Sequence, residues 1–218
     1  MIPRVLRRCA LAGDKGPFTG AYQATALGGG STGKFSTWEA GHRVAGMAVW
    51  PGRIAAGTVS NATVSTLDFV PTFASVAGVQ LLADRVYDGV DLSPLLFDRS
   101  SNVRESLVHP DTDTGNITAV RWHNYKAYFE TQSFESCTEP GTKRVVHNPP
   151  LVFDLTVDQS ESIPVVPSAE LLQTLRSVYN ATWASVTGTF RSHTNYSSGG
   201  RTAWPCCDVN NVACRCVD

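Results

Sequence analysis

Gly28–Gly41, GGGSTGKFSTWEAG, begins with the spacing G-x-x-x-x-G-K, and how it is read decides what the rest of the chain is. Taken alone, Gly28 to Lys34 is the core of a phosphate-cradling loop, in which backbone N–H groups hold phosphate oxygens and the lysine adds a point charge. Such a loop needs a buried strand before its glycines and a Ser or Thr after its lysine to hold magnesium. TGAYQATAL, which precedes Gly28, is short of β-branched apolar residues, and Phe35 follows Lys34. A phenyl ring cannot coordinate a metal, so the nucleotide reading fails one residue past the motif. A glycine-rich loop carrying one lysine remains, and its surroundings must say which anion it serves.

Downstream, VAGMAVWPG from Val44 is a short apolar run closed by Pro51-Gly52, which predicts a buried strand ending in a turn. In STLDFVPTFASVAGV, Leu67, Val70, Phe73, Ala74 and Ala77 follow helical spacing, with Asp68 as the expected N-cap, Pro71 in the first turn and Gly78 as the stop. A strand followed by a helix is α/β organisation. The character changes after about Phe97. ITAVRW and YKAYFET flank His123-Asn124 as a β-hairpin, and PPLVFDL is a further strand. PSAELLQTLRSVYNATWASV is the clearest helix, with Leu171, Leu175, Val178, Tyr179, Trp183 and Val186 on one stripe and Asn180 off it. This half reads as α+β, a small antiparallel sheet with one long packed helix. The expected division is therefore 1–98, α/β, and 99–218, α+β.

The 218 residues leave room for one large or two small domains with a real core. With 18 basic against 19 acidic residues, no broad basic surface points to nucleic acid. No apolar run is long enough to cross a bilayer, and MIPRVLRRCALAG lacks the apolar stretch and small-residue cleavage site of a signal peptide. Yet Asn61, Asn116, Asn180 and Asn195 each begin an N-x-[ST] sequon, and four of the six cysteines crowd the tail PCCDVNNVACRCVD. Cys206, Cys207, Cys214 and Cys216 lack the C-x-x-C pairs of a zinc ribbon and read as disulfides stapling a loop-rich terminus, in any of three pairings. Such a terminus suits a secreted or lysosomal chain. Secretory chemistry without a secretory signal is simplest to explain if the chain is a piece of a longer one.

The wider string GDKGPFTGAYQATALGGGSTGKFSTWEAGHRVAGMAVWPGRI resembles the late part of a sulfatase catalytic domain. Sulfatases of the arylsulfatase A and galactosamine sulfatase group carry D-N-G-P, a glycine-rich loop, G-K-x-T-x-[YFW]-E-G-G-x-R-x-P and then W-P-G. Asp14, Gly16, Pro17, Gly33, Lys34, Thr37, Trp38, Glu39, Gly41, Arg43 and Trp50-Pro51-Gly52 match that order. TLDFVPTFASVAGV and DGVDLSPLL continue it, YKAYFET is similar to the family's Y-K-A-H-F-x-T, and PPLVFDL to its P-P-L-L-Y-D-L. The cysteine-rich tail also resembles the end of arylsulfatase A. The likeness runs from about residue 13 to the C-terminus.

This resemblance implies the C-terminal part of an alkaline-phosphatase-like sulfatase fold, with hydrolysis of sulfate esters by a formylglycine and calcium mechanism. The substrate would be a sulfated small molecule, glycolipid or glycan. Lys34 falls on the lysine that contacts the substrate's sulfate in this family, where a compact ammonium suits an oxygen whose charge grows in the transition state. Asp14 falls on a carboxylate that binds the divalent cation. The departures are specific. Lys15 stands where the family has a second metal ligand, Asn; Ala40 and Ala45 replace a glycine and a proline. Thr32 replaces a cysteine whose usual disulfide partner falls on Cys137, which is then free or re-paired, Cys9 being one partner. None of the six cysteines begins the C-x-P-x-R motif that matures to formylglycine, so the chain alone is expected not to turn over. A non-catalytic secreted binding module, or a phosphate or phosphonate ester hydrolase of the same superfamily, are the alternatives.

Several other residues invite a chemical role. Glu39 is read as a structural carboxylate pairing with Arg43 or a backbone N–H, His42 as structural or exposed, and His109 and His123 as exposed at a strand end and a turn. Asp111 and Asp113 are too sparse for a calcium loop. Trp122, Tyr125, Tyr128 and Phe129 are read as sheet packing, not as a platform for bases.

Overall fold

A computed structural model describes residues 16–18, 36–98, 103–111, 115–133 and 143–189. The expected hairpin organises it. Strands β2 (Ile117–Trp122) and β3 (Tyr125–Ser133) pair antiparallel around His123-Asn124, with Trp122 opposite Tyr125 and Ala119 opposite Tyr128. His123 takes the positive φ of 50° that the tight turn demands. Strand β1 (Ser106–Pro110) adds to β2 and strand β4 (Lys143–Asp154) to β3, giving a four-stranded antiparallel sheet in sequence order. The sequence placed His109 at a strand end without bounding β1, and the first half of β4 was not expected, whereas the PPLVFDL end of β4 was. The long helix, Ala169–Thr189, forms where the apolar stripe placed it. Leu175 is fully buried and Tyr179 stacks on Phe129 at 3.9 Å, while Asn180 is exposed. By compactness the chain divides into units Met1–Thr182 and Trp183–Asp218.

Strand alternation gives the sheet two faces. Val120, Ala127 and Val152 share one face and are all fully buried. Cross-strand pairing puts His109, Ala119, Arg121, Lys126, Tyr128, Leu151 and Phe153 on the other. That face receives the short helix α1 (Glu39–His42) and the residues before it. Trp38, 2 % exposed, lies 4.2 Å from the Tyr128 ring and edge-on to Phe153, and with Ala119 and Leu155 these form the core. An aromatic cluster of this kind contributes both buried area and ring–ring attraction of about 1 kcal/mol per pair.

The segment from Val44 to Trp50 departs from expectation. It is not a buried strand: it pairs with no strand among the described residues, and Val44 and Met47 are 81 % and 92 % exposed. A central strand of a parallel sheet is held by ladder bonds to neighbours on both sides; without them an apolar run gains nothing by being a strand. The helix after it does form. Ser65 caps a single 3-10 turn, Thr66–Asp68, with Asp68 as the reciprocal member of the capping box, and the chain continues as helix α2 (Phe69–Ala77) until Gly78 closes it at φ 67°. Ser65, three residues before Asp68, is thus the N-cap. The predicted apolar stripe is exposed: Leu67, Val70 and Phe73 are each more than half open.

Besides Pro71, the side chains that α2 and the turn before it bury are polar. Asp68, wholly inaccessible, accepts hydrogen bonds from Ser65 N–H at 2.7 Å and Val90 N–H at 2.9 Å and is ion-paired to Arg104, which leads into β1. Thr72 donates to the Asp68 carbonyl and accepts from Leu92 N–H. The 88–92 loop crosses so closely that a Cβ on Gly89 would lie 2.0 Å from the Leu67 carbonyl oxygen. A short helix α3, Ser93–Phe97, follows.

Candidate functional site

The segment after Lys34 is fixed to the sheet by a buried polar network. Glu39, 2 % exposed, accepts from the Lys126 ammonium at 2.9 Å, and Lys126, with no exposed surface, also lies 3.1 Å from Glu161. Glu161 in turn accepts from the backbone N–H of Glu39 at 2.7 Å, and its other oxygen is 2.6 Å from the Tyr128 hydroxyl, itself 3.1 Å from the Thr37 carbonyl. Arg43 and Arg121 approach the second Glu39 oxygen at 3.4 and 3.8 Å. Each element supplies its part for a local reason. The two-residue turn fixes the register that sets Arg121 directly opposite Lys126, and like charges so placed repel unless a carboxylate sits between them. Gly41 allows α1 to fold back, since a Cβ there would lie 2.3 Å from the Ser36 carbonyl oxygen.

The electrostatics follow from this geometry. Burial alone would raise the Glu39 carboxyl, but Lys126, with His42 and Arg121 behind it, more than offsets burial and brings it down to about 2. Burial pushes Glu161 up, and Lys126, Tyr128 and the Glu39 N–H only partly reverse this. One ammonium thus serves two carboxylates, of which Glu39 is the more firmly ionised. Burial, then Glu161, drives the Tyr128 phenol well up, keeping it a neutral donor. The His42 and His109 rings lie tilted by 49° with their centroids 4.2 Å apart. Burial and then Lys126 hold both below the ordinary histidine value, His42 against the pull of Glu39. His109 is buried, not exposed as its strand-end position suggested, and its Nε2 has no hydrogen-bond partner among the described residues.

Glu39 is the structural carboxylate the sequence indicated, paired with Arg43, and the aromatic residue Tyr128 is sheet core. Lys126, Glu161 and Arg121 were missed. The available signal for Lys126 was its place opposite Arg121 at the turn. Lys34, Asp14, Cys137, Asn195 and the tail cysteines Cys206, Cys207, Cys214 and Cys216 lie outside the described residues. Asn61, Asn116 and Asn180 are described, and all three are exposed. Among the described residues no three His, Cys, Asp or Glu side chains stand together as a metal site, and no helix is long and apolar enough to cross a membrane.

Comparison with known proteins agrees with this architecture. Residues 102–216, more than half of the chain, match the profile of the C-terminal region of aryl-sulfatase. The chain belongs to the sulfatase family. Dog (Canis lupus familiaris) arylsulfatase G is 37 % identical over 96 % of this sulfatase chain, which covers 40 % of that relative. Human arylsulfatase G is 36 % identical, with 96 % and 41 % covered, and bovine arylsulfatase A is 39 % identical over 63 % of the chain and 29 % of its own length. The chain therefore spans about two fifths of the arylsulfatase G sequences it matches. Among solved structures, the PsFucS1 sulfatase from Pseudoalteromonas sp. superposes with a TM-score of 0.64 at 25 % identity, covering 78 % of this chain and 33 % of that one. The fold is the C-terminal portion of the alkaline-phosphatase-like sulfatase architecture.

Proposed function

We propose that this chain is the C-terminal part of an arylsulfatase-type sulfuric ester hydrolase in which Lys34 contacts the sulfate group. The observation that carries the reading is that Trp38 and Glu39, members of the lysine motif, are built into the core of the sheet covered by the aryl-sulfatase profile. Trp38 and Glu39 thus pack in the same compact unit as this sheet. Residues 1–98 would then be the remnant of the catalytic α/β domain, and 99–218 the C-terminal α+β domain with its cysteine-rich tail.

Within that enzyme Lys34 would hold a non-bridging sulfate oxygen and stabilise the charge that develops as the ester bond breaks. The family implies a divalent cation, which we take to be calcium, with Asp14 among its ligands. Lys15 beside it does not suit a cation, and the described residues hold no ligand set, so no step of this chain's chemistry is drawn through the metal. None of the cysteines begins C-x-P-x-R, and the chain alone is expected not to turn over. Exposed sequons at Asn61, Asn116 and Asn180, with Asn195 and the four tail cysteines of the sequence, support a lysosomal or secreted glycoprotein acting on a sulfated small molecule, glycolipid or glycan.

A fusion tests this. The chain would be joined behind the upstream part of human arylsulfatase G that it does not span. The reading expects hydrolysis of 4-nitrophenyl sulfate by the fusion and none by the chain alone. A fusion that cleaves 4-nitrophenyl phosphate and leaves the sulfate intact would replace it with the phosphate-ester reading.

A further inference from the structure

Thr37, Trp38 and Glu39 are each gripped from the sheet. The Thr37 carbonyl lies 3.1 Å from the Tyr128 hydroxyl, the Trp38 ring is in the core, and Glu39 is held through both its N–H and its carboxylate. The partners are far away in sequence, 87 residues for Lys126 and 122 for Glu161. Lys126 stands at the centre, ion-paired with both carboxylates. Lys34 precedes the buried Ser36 by two residues in the sequence.

We propose that Lys126 is a positioning residue: clamped between Glu39 and Glu161, it fixes where the lysine loop leaves the sheet and so sets the reach of Lys34 toward a sulfate ester. This rests on the reading of Lys34 as the sulfate contact. Stability alone is a poor reason for such a cluster, because apolar side chains of similar volume often serve a core as well as a buried ion pair does. A hydrogen-bonded clamp supplies something a greasy contact does not, a fixed direction for the backbone it holds. A displacement of about 1 Å at a reacting group can cost a factor of 100 in rate, and a site holds its geometry only when its supporting shell is locked.

The test separates position from stability in the 218-residue chain. Lys126→Met leaves two buried carboxylates around a missing cation and is expected to destabilise the chain. Lys126→Met/Glu161→Gln removes one of the two stranded charges and leaves Glu39 to Arg43 and Arg121, so much of the global stability should return while the ammonium clamp stays lost. By hydrogen exchange, residues 28–40 should exchange about tenfold faster than wild type in this double variant, with β2 and β3 retaining wild-type protection. Inorganic sulfate should slow acetylation of Lys34 in the wild type, chloride at equal ionic strength should not, and the sulfate effect should vanish in the double variant. If the double variant recovers both its stability and the sulfate effect on Lys34, Lys126 is core filling and the proposal is overturned. If sulfate fails to shield Lys34 even in the wild type while the exchange difference stands, the sulfate reading of Lys34 has failed and the inference falls with it.

Discussion

Replacing His109 with phenylalanine should stabilise the chain far more in acid than at neutral pH. His109 is 6 % exposed, its ring packs against His42 at a tilt, and its Nε2 has no partner among the described residues. The groups facing it are His42 from α1, Lys126 from β3 and Arg121 from β2; after burial itself, all three act against its protonation, and its pKa falls well below the ordinary value. Unfolded, the same imidazole titrates near 6.5. Below that pH the unfolded chain binds a proton that the folded chain does not, so stability is lost as pH falls. At about pH 5 the loss is at most roughly 2.303RT times 1.5, or about 2 kcal/mol, while at about pH 7.5 it is close to zero. His42 adds in the same direction, but its side chain is 32 % exposed and its share is discounted accordingly. His109→Phe also removes an unsatisfied buried nitrogen, a gain that does not depend on pH. The readout is therefore the difference between two urea denaturations, at about pH 5 and about pH 7.5, in which the variant's advantage should be larger in acid, by up to about 2 kcal/mol. Equal effects at both pH values would show that His109 is not held neutral in the fold, and the account of the buried cluster would be wrong.

Arg104→Met should cost about 3–5 kcal/mol by urea denaturation, because it strands the wholly buried Asp68 carboxylate. Gly89→Ala should cost about 1–3 kcal/mol, since its Cβ meets the rigid Leu67 carbonyl, whereas Gly46→Ala, with open space around it, should change stability by under about 0.5 kcal/mol. Val70→Ser/Phe73→Ser on the open face of α2 should lower binding of an apolar fluorescent dye while shifting stability by no more than about 0.5 kcal/mol. A large loss of stability in that variant would mean that this face is packed in solution.

The parts of the fold legible in the sequence were those fixed by local chemistry. The hairpin followed from β-branched and aromatic residues on either side of His123-Asn124, the long helix from its apolar stripe, and the end of α2 from Gly78. Strand β1 and the KRVVHN half of β4 were not legible, because SLVHP is too short for a pattern and KRVVHN is too polar. They are strands because the hairpin offers each of them an edge. The Val44–Trp50 segment shows the reverse, an apolar run with the composition of a buried strand and no ladder among the described residues. At the site, Glu39 was readable through its neighbour Arg43, whereas its pairing with Lys126 and Glu161 depends on a register that only the assembled sheet supplies. The same holds for His109, which is carried inward by its pairing with Ala119.

The central claim is that the lysine loop and this sheet are one piece of a sulfate-ester hydrolase. The most direct measurement is kcat/KM for 4-nitrophenyl sulfate in the arylsulfatase G fusion, with and without Lys34→Ala. Loss of a charged contact to the developing oxyanion predicts a fall of about 10²- to 10³-fold, carried mainly by kcat. A fusion whose turnover is unchanged by Lys34→Ala would contradict the account.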